Sequence, residues 1–210
     1  MIMSKFCARY KLAVLCCLGF LGNKAYGSLQ NTAHTQEVSS SVLTLSRVEA
    51  AFNRITTLKA RFVQIDRNNR LATGWFYLER PGKVRFDYDA PNPNLIISNR
   101  GHLYHVDKEL KERSELPQTN PLYLFLKEKI SFRTPDVQIK SFTKGVYNVR
   151  LTLTAFNEPG TLTLVFDMAT LSLQQWILED DEHHKTTITL EQSVYGEKFS
   201  PRVFKLIELS

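Results

Sequence analysis

Apolar and polar side chains alternate over short runs along most of the chain from residue 61 onward, which is typical of β-strands with one buried face. Turn-forming residues such as Asn68-Asn69, Pro81-Gly82 and Glu158-Pro159-Gly160 separate many of these runs. Strands that follow one another without long helices favour an antiparallel sheet, and a sheet of many strands curls into a barrel or sandwich. The pattern predicts about twelve strands: Arg61–Asp66, Thr73–Arg80, Lys83–Tyr88, Asn94–Ser98, His102–Val106, Lys111–Leu116, Val137–Phe142, Val146–Thr154, Thr161–Asp167, Ser172–Asp180, Lys185–Tyr195 and Arg202–Leu209.

Two segments instead have the spacing of amphipathic helices. In the first, apolar residues recur every three or four positions and form one stripe: Val42, Leu45, Val48, Phe52, Ile55 and Leu58. The second begins at Asn120, a favourable N-cap, with Pro121 in the first helical position. Its apolar residues are Leu122, Tyr123, Phe125, Leu126 and Ile130. We expect both helices to lie on the sheet, either as ordinary core packing or as a movable lid.

The segment Gly74–Pro91 has a charged residue at the end of a strand that is otherwise apolar. Alternation places Phe76, Leu78 and Arg80 on one face of that strand, and Trp75, Tyr77 and Glu79 on the other. A guanidinium group beside an apolar face needs acceptors for its five N–H donors. One hypothesis is that Arg80 is a latch, which reaches across an apolar cavity to unpaired carbonyls at the helix ends. The alternative is an arginine in water or paired with a carboxylate.

The first 27 residues have the pattern of a secretory signal peptide. Lys5, Arg9 and Lys11 precede a short apolar run, and Ala25-Tyr26-Gly27 supplies small residues for cleavage. The apolar run is about half of the ~20 residues that a membrane span needs. We predict that the chain is cleaved after Gly27 and exported to the periplasm as a soluble protein.

This cleavage changes the chemistry available to the mature chain. It removes all the cysteines, Cys7, Cys16 and Cys17, and thereby excludes disulfides and thiol chemistry. It lowers the formal net charge from +6 to +2, because four Lys and Arg residues leave and no acidic residue does. Overall charge then gives no support for a nucleic-acid partner. Residues 28–40 are interpreted as a flexible polar lead, and 41–210 as one domain.

Candidate catalytic and metal-binding residues are few. The segment Glu179-Asp180-Asp181-Glu182-His183-His184 contains metal-ligating residue types, and a metal hydrolase using Asp180, Asp181, His183 and His184 is the enzymatic alternative. Its position between two strands favours a solvated hairpin turn. On a strand, His102 and His105 would point to opposite faces and could not share a ligand. We therefore predict no catalytic residue, no metal and no cofactor.

Taken in order, several motifs resemble the LolA family of periplasmic lipoprotein carriers, over roughly Leu43 to Phe204. The matching residues are Ile55-Thr56-Thr57-Leu58, Ala60-Arg61-Phe62-Val63-Gln64, Gly74, Glu79-Arg80-Pro81-Gly82-Lys83, Phe86, Tyr88-Asp89-Ala90-Pro91, Asn99-Arg100-Gly101-His102-Leu103-Tyr104, Asn120-Pro121-Leu122 and Phe204. After Phe204 the chain departs from the Pro-Pro-x-Gly segment that is frequent in the family.

The resemblance implies an incomplete antiparallel barrel of about eleven strands, covered by a helical lid, whose cavity receives lipoprotein acyl chains. It implies that Arg80 contacts the lid and holds the empty state closed. The implied partners are acylated lipoproteins, an inner-membrane ABC transporter that releases them and an outer-membrane receptor; the carrier itself is expected to be a monomer. We expect the cavity to be lined by Val48, Phe52, Phe76, Leu78, Val84, Phe86, Leu122 and Phe125.

The sequence is also compatible with three other interpretations. A paralogue of the same fold could carry a different envelope lipid. A structural or protein-binding envelope module could simply pack its two-sided apolar sheet. A lipid-anchored receptor shares the fold, but Cys16 and Cys17 lack the small residues that precede a lipidated cysteine.

Overall fold

The computed structural model describes residues 45–134, 137–155 and 160–207. The predicted signal peptide, the polar lead and Val42 lie outside this part of the chain. The helices are α1 (residues 45–53) and α2 (Tyr123–Leu126), and a 3-10 turn spans Pro201–Phe204. The strands are β1 (Thr57–Ile65), β2 (Leu71–Glu79), β3 (Lys83–Tyr88), β4 (Asn94–Asn99), β5 (His102–Asp107), β6 (Glu112–Glu115), β7 (Val137–Lys144), β8 (Asn148–Ala155), β9 (Thr161–Asp167), β10 (Leu173–Glu179) and β11 (Lys185–Tyr195).

The described strands form one antiparallel sheet of eleven strands in the order β6-β5-β4-β3-β2-β1-β11-β10-β9-β8-β7. The pairing of β1 with β11 joins the two halves of the chain at the centre of the sheet. β6 and β7 are its two edges, so the curled sheet is an incomplete barrel. The predicted fold class is confirmed.

The prediction of a final strand over Arg202–Leu209 is wrong. Ser200 accepts a hydrogen bond from the Arg202 backbone N–H, and the chain makes the 3-10 turn there. Leu206 and Ile207 then pack on a separate apolar cluster, formed by Leu95, Ile97 and Val106 on the outer face of the sheet. The apolar residues of this segment therefore cover the sheet instead of extending it.

Both helices are shorter than their apolar patterns. Leu58 continues the spacing of the α1 stripe but lies on β1, where it is a buried, inward-facing strand residue. Asn120 accepts a hydrogen bond from the Leu122 backbone N–H at 3.0 Å, so it organises the turn before α2 and is not the N-cap residue itself. Ile130 lies beyond α2, which ends at Leu126 because Lys127 is extended.

The main core lies between the concave face of the sheet and the two helices. Inward residues of β1 and β2, such as Phe62 and Phe76, are fully buried, while the outward Trp75 and Tyr77 are only partly covered. The predicted alternation of faces along β2 is therefore present. Helices and sheet together enclose one apolar interior with Arg80 at its margin.

Gly74 on β2 is required by the close approach of its neighbours. A Cβ atom there would lie 2.3 Å from the Asp87 carbonyl oxygen and 2.6 Å from the Phe62 ring. We expect Gly74→Ala to lower the free energy of unfolding by about 3 kcal/mol, since neither backbone nor buried ring can move away freely. Urea denaturation measures this loss. Gly145→Ala is the matched control, and an equally small change in both variants would contradict the prediction.

Asp89 gives the fold a predictable acid sensitivity. Hydrogen bonds from Arg61 and from the Thr73 hydroxyl, the latter at 2.6 Å, lower the pKa of this carboxyl to about 2. Its pKa in the unfolded chain is about 3.9, so the ionised group stabilises the fold above that pH, and this stabilisation is lost as the pH falls through about 2. Melting temperatures should therefore differ between parent and Asp89→Asn at pH 7 and converge near pH 2. Asp181→Asn, in an exposed turn, should show no such pH-dependent difference in melting temperature from the parent.

Candidate functional site

The Arg80 side chain leaves the end of β2 and enters the space between the sheet and both helices. Its Nε donates to the Phe125 carbonyl of α2 at 3.2 Å, and its Nη1 donates to the Phe52 carbonyl of α1 at 3.0 Å. The guanidinium carbon lies 4.4 Å from the centre of the Phe52 ring. One side chain of the sheet is thus bound to the last turns of two separate helices.

The environment of Arg80 is unusual for an arginine. The residue is only 9% exposed, and no carboxylate forms an ion pair with it within the described residues. Burial lowers the pKa of the guanidinium to about 10, so it stays charged at neutral pH. Its Nη2 has no hydrogen-bond partner among the described residues. The charge is therefore held mainly by two carbonyls and a ring.

Further contacts connect the same elements. The Gly82 backbone N–H donates to the Leu126 carbonyl at 2.9 Å, next to the carbonyl that Arg80 binds. The Asn53 side chain donates to the Ile130 carbonyl at 2.7 Å and accepts from the Ile130 N–H at 2.9 Å, which joins the end of α1 to the segment after α2. The two helices therefore form one connected cover, which we call the lid.

All the residues predicted to line a cavity meet in the main core. Val48 and Phe52 come from α1, Leu122 and Phe125 from the region of α2, and Phe76, Leu78, Val84 and Phe86 from β2 and β3. They are buried and pack against one another, so this is a closed arrangement. Whether they contact acyl chains stays a prediction.

Aromatic rings fill the boundary between lid and sheet. The Phe125 ring centre lies 5.7 Å from that of Phe52 and 6.1 Å from that of Phe76. Phe76 in turn lies 4.7 Å from Phe86. These rings meet in tilted or edge-to-face contacts and fill much of the boundary with apolar surface. The closed lid is thus held by apolar packing and by the Arg80 hydrogen bonds together.

Sequence reasoning missed several residues of this boundary, above all Trp176 on β10. Its ring centre lies 5.0 Å from that of Phe125, and it is fully buried. Phe166 on β9 also contacts Phe52, at 6.1 Å. The signal was present as large apolar residues at inward positions of the later strands, but strand alternation does not say which inward residue lies beneath which helix.

The segment proposed for metal binding forms the turn between β10 and β11. Asp180 Oδ1 accepts from the backbone N–H groups of Glu182 and His184, and the His183 ring contacts Glu179 at 2.8 Å. These side chains stabilise the turn and point largely into solvent. The part of the chain that the structure describes contains no group of three or more His, Cys, Asp or Glu placed to hold a metal ion.

The two candidate histidines on β5 are separated by the sheet. His102 contacts Glu115 at 2.6 Å, and His105 contacts Asn94 at 2.6 Å. His105 lies in the wall of a polar surface cleft of about 590 Å³ at the turn between β3 and β4. This cleft lies at the end of the barrel opposite Arg80 and contains none of the predicted cavity residues.

The family model described as "Outer membrane lipoprotein carrier protein LolA" matches residues 53–207. The chain belongs to the LolA family. The fold of this family is a binding fold for lipoproteins and lipids, and its members are periplasmic. Among the described residues, no helix is long and apolar enough to cross a membrane.

Individual relatives are more distant. An outer-membrane lipoprotein carrier protein of Methylococcus capsulatus is 35% identical over 72 residues, which cover 32% of this chain and 35% of that protein. The match thus spans only about a third of that relative's length. An uncharacterized protein of Rickettsia prowazekii is 24% identical over 197 residues, covering 92% of this chain and 84% of the relative. The crystal structure of a LolA superfamily protein from Nitrosomonas europaea has 9% identity and a TM-score of 0.45, covering 77% of this chain and 97% of that one.

Proposed function

We propose that the chain is a periplasmic carrier that binds the acyl chains of lipoproteins between the concave sheet and the lid, and moves them from the inner to the outer membrane. It catalyses no reaction. Its mature form begins after Gly27, works as a monomer, takes cargo from an inner-membrane ABC transporter and passes it to an outer-membrane receptor where one exists.

The observation that carries the proposal is the attachment of Arg80 to both helices. A core that only had to be stable would not need a charged group there, because burying a guanidinium is costly unless its donors are paired. The hydrogen bonds to Phe52 and Phe125 join the sheet to the lid, so an opening of the lid would break them. Arg80 is therefore suited to stabilise an empty closed state against an open one.

The energies agree with this role. Three acyl chains contain roughly 40 methylene groups, and at about 0.8 kcal/mol each their exposure to water costs on the order of 30 kcal/mol. A carrier must offset most of this cost and still release the cargo. Charge-assisted hydrogen bonds of about 1.5 to 3 kcal/mol each favour the closed empty state without dominating the binding.

Acyl-chain binding can be measured directly. We expect the protein produced from residue 28 to bind a fluorescent fatty-acyl probe saturably, and we expect added lipoprotein to displace that probe. We also expect lipoproteins to co-purify with the protein from an envelope fraction. Mass spectrometry of the co-purified material identifies the cargo. Co-purification of another lipid class alone would favour a lipid-transport paralogue.

A second candidate function is a packed structural or protein-binding module. The dense packing of all eight predicted cavity residues is the observation that favours it. Such a module has no reason to open, so it would show no saturable probe binding. The two candidates are thus separated by one titration.

A further inference from the structure

Two of the buried polar atoms that lack a partner within the described residues belong to side chains that contact Phe125. One is Arg80 Nη2, and the other is the indole nitrogen of Trp176. Trp176 is fully buried, and its ring is surrounded by Phe125, Phe76 and Phe86 at 5.0, 5.5 and 5.9 Å between ring centres. A buried N–H donor that finds only rings has lost its hydrogen bonds to water and gained little in exchange.

Such a donor is an expensive way to fill an apolar site. Phenylalanine or leucine would pack there without an unpaired N–H group, and buried tryptophans usually find an acceptor for theirs. Within the described residues this donor is unpaired in the closed arrangement, and it gains a hydrogen bond only when an acceptor enters. Methylene groups cannot supply one.

Movement of α2 would bring an acceptor within reach. Phe125 contributes both the ring that covers Trp176 and the carbonyl that Arg80 binds. A displacement of α2 that breaks the Arg80 bond therefore also uncovers the indole. The ligand that replaces the Phe125 ring then lies against the Trp176 indole.

We propose that the Trp176 indole N–H donates a hydrogen bond to the carbonyl oxygen of an ester- or amide-linked acyl chain in the cargo-bound state. This inference rests on the proposed carrier function and specifies its substrate class: chains attached through a carbonyl group, not hydrocarbon as such. Trp176 is a specificity-determining residue in this scheme. Its effect is a preference, since apolar burial supplies most of the affinity.

The test compares two competitors that displace a bound fluorescent acyl probe: methyl laurate and the n-alkane with the same number of chain atoms. The parent should bind the ester more tightly than the alkane. Trp176→Phe should weaken ester binding about tenfold relative to alkane binding, equivalent to about 1.4 kcal/mol. Because the ratio is taken within one variant, any cavity left by the smaller ring affects both competitors alike. Trp75→Phe, on the outer face, should keep the parent's ratio.

A second measurement needs no core substitution. The chain has two tryptophans, so its nitrogen-15 spectrum contains two indole N–H signals, which Trp75→Phe assigns. The Trp176 signal should move downfield when methyl laurate is added and not when the alkane is added. An unchanged ester preference in Trp176→Phe, or identical shifts with both ligands, would overturn the inference and leave the carrier function standing. Failure of the parent to bind either competitor would overturn both.

Discussion

Arg80→Leu is expected to give a carrier that binds acyl chains at least as tightly as the parent but transfers them poorly. The substitution removes the hydrogen bonds to Phe52 and Phe125 that join the sheet to the lid, and it leaves the eight predicted cavity residues in place. Each lost bond shifts the balance between closed and open states by roughly tenfold to a hundredfold toward the open state. The empty closed state that forms after release is then less stable than in the parent, so release of cargo becomes less favourable.

The measurement is the fraction of lipoprotein that stays on the carrier after mixing with acceptor membranes. Arg80→Lys should be intermediate, because an ammonium group keeps the charge but cannot reproduce the planar fork that engages two carbonyls. Arg85→Leu is a suitable control, since Arg85 contacts Asp87 and the Val203 carbonyl on the other face of the sheet. If Arg80→Leu releases cargo as fully as the parent, Arg80 is a structural residue and the latch hypothesis is wrong.

The position of Arg80 could be predicted from the sequence because it depends on one local rule. Strand alternation puts residue 80 on the same face as Phe76 and Leu78, and the structure places all of them in the interior. Its two acceptors could be named only as carbonyls of the covering helices. Phe52 and Phe125 are 28 and 45 positions away along the chain, and no periodic pattern fixes which carbonyl a distant side chain reaches.

The sheet was more predictable than the segments that cover it. Most strand positions follow from alternation and turn residues, which are local properties of the sequence. Leu206 and Ile207 show where this fails. Their apolar character predicts a strand, but these residues pack on the cluster of Leu95, Ile97 and Val106 instead. An apolar residue shows that a position is buried, but not whether the burial comes from strand pairing or from packing on a face.

Trp176 shows the same limit within the site. Its inward position on β10 follows from alternation, but its contact with Phe125 depends on how the second half of the sheet curls around the lid. The pairing of β1 with β11 joins the two halves of the sheet, and it connects residues more than 100 positions apart. Such a contact depends on the complete fold.

Phe125→Glu and Phe86→Glu are expected to have very different effects, although both rings are almost completely buried. The Phe86 ring packs on rings of β1, β2 and β10, so a carboxylate there stays among apolar side chains of the sheet even when α2 moves. We expect Phe86→Glu to lower the free energy of unfolding by about 4 kcal/mol or more, enough to prevent folding of a marginally stable domain. A carboxylate at Phe125 can instead be hydrated if α2 swings away from the sheet.

Phe125→Glu should therefore remain folded, with the lid held open. The exposed concave face should bind the hydrophobic dye ANS strongly. In urea denaturation, the loss of unfolding free energy should be at least about 2 kcal/mol smaller than for Phe86→Glu. This difference is on the order of that between a hydrated charge and an unpaired buried charge. Phe125→Leu is the matched control, because it shortens the side chain without adding charge and should keep the lid closed. Equal losses of stability for the two glutamate variants would mean that α2 is a fixed part of the core, and the packed module would then be the better description of this chain.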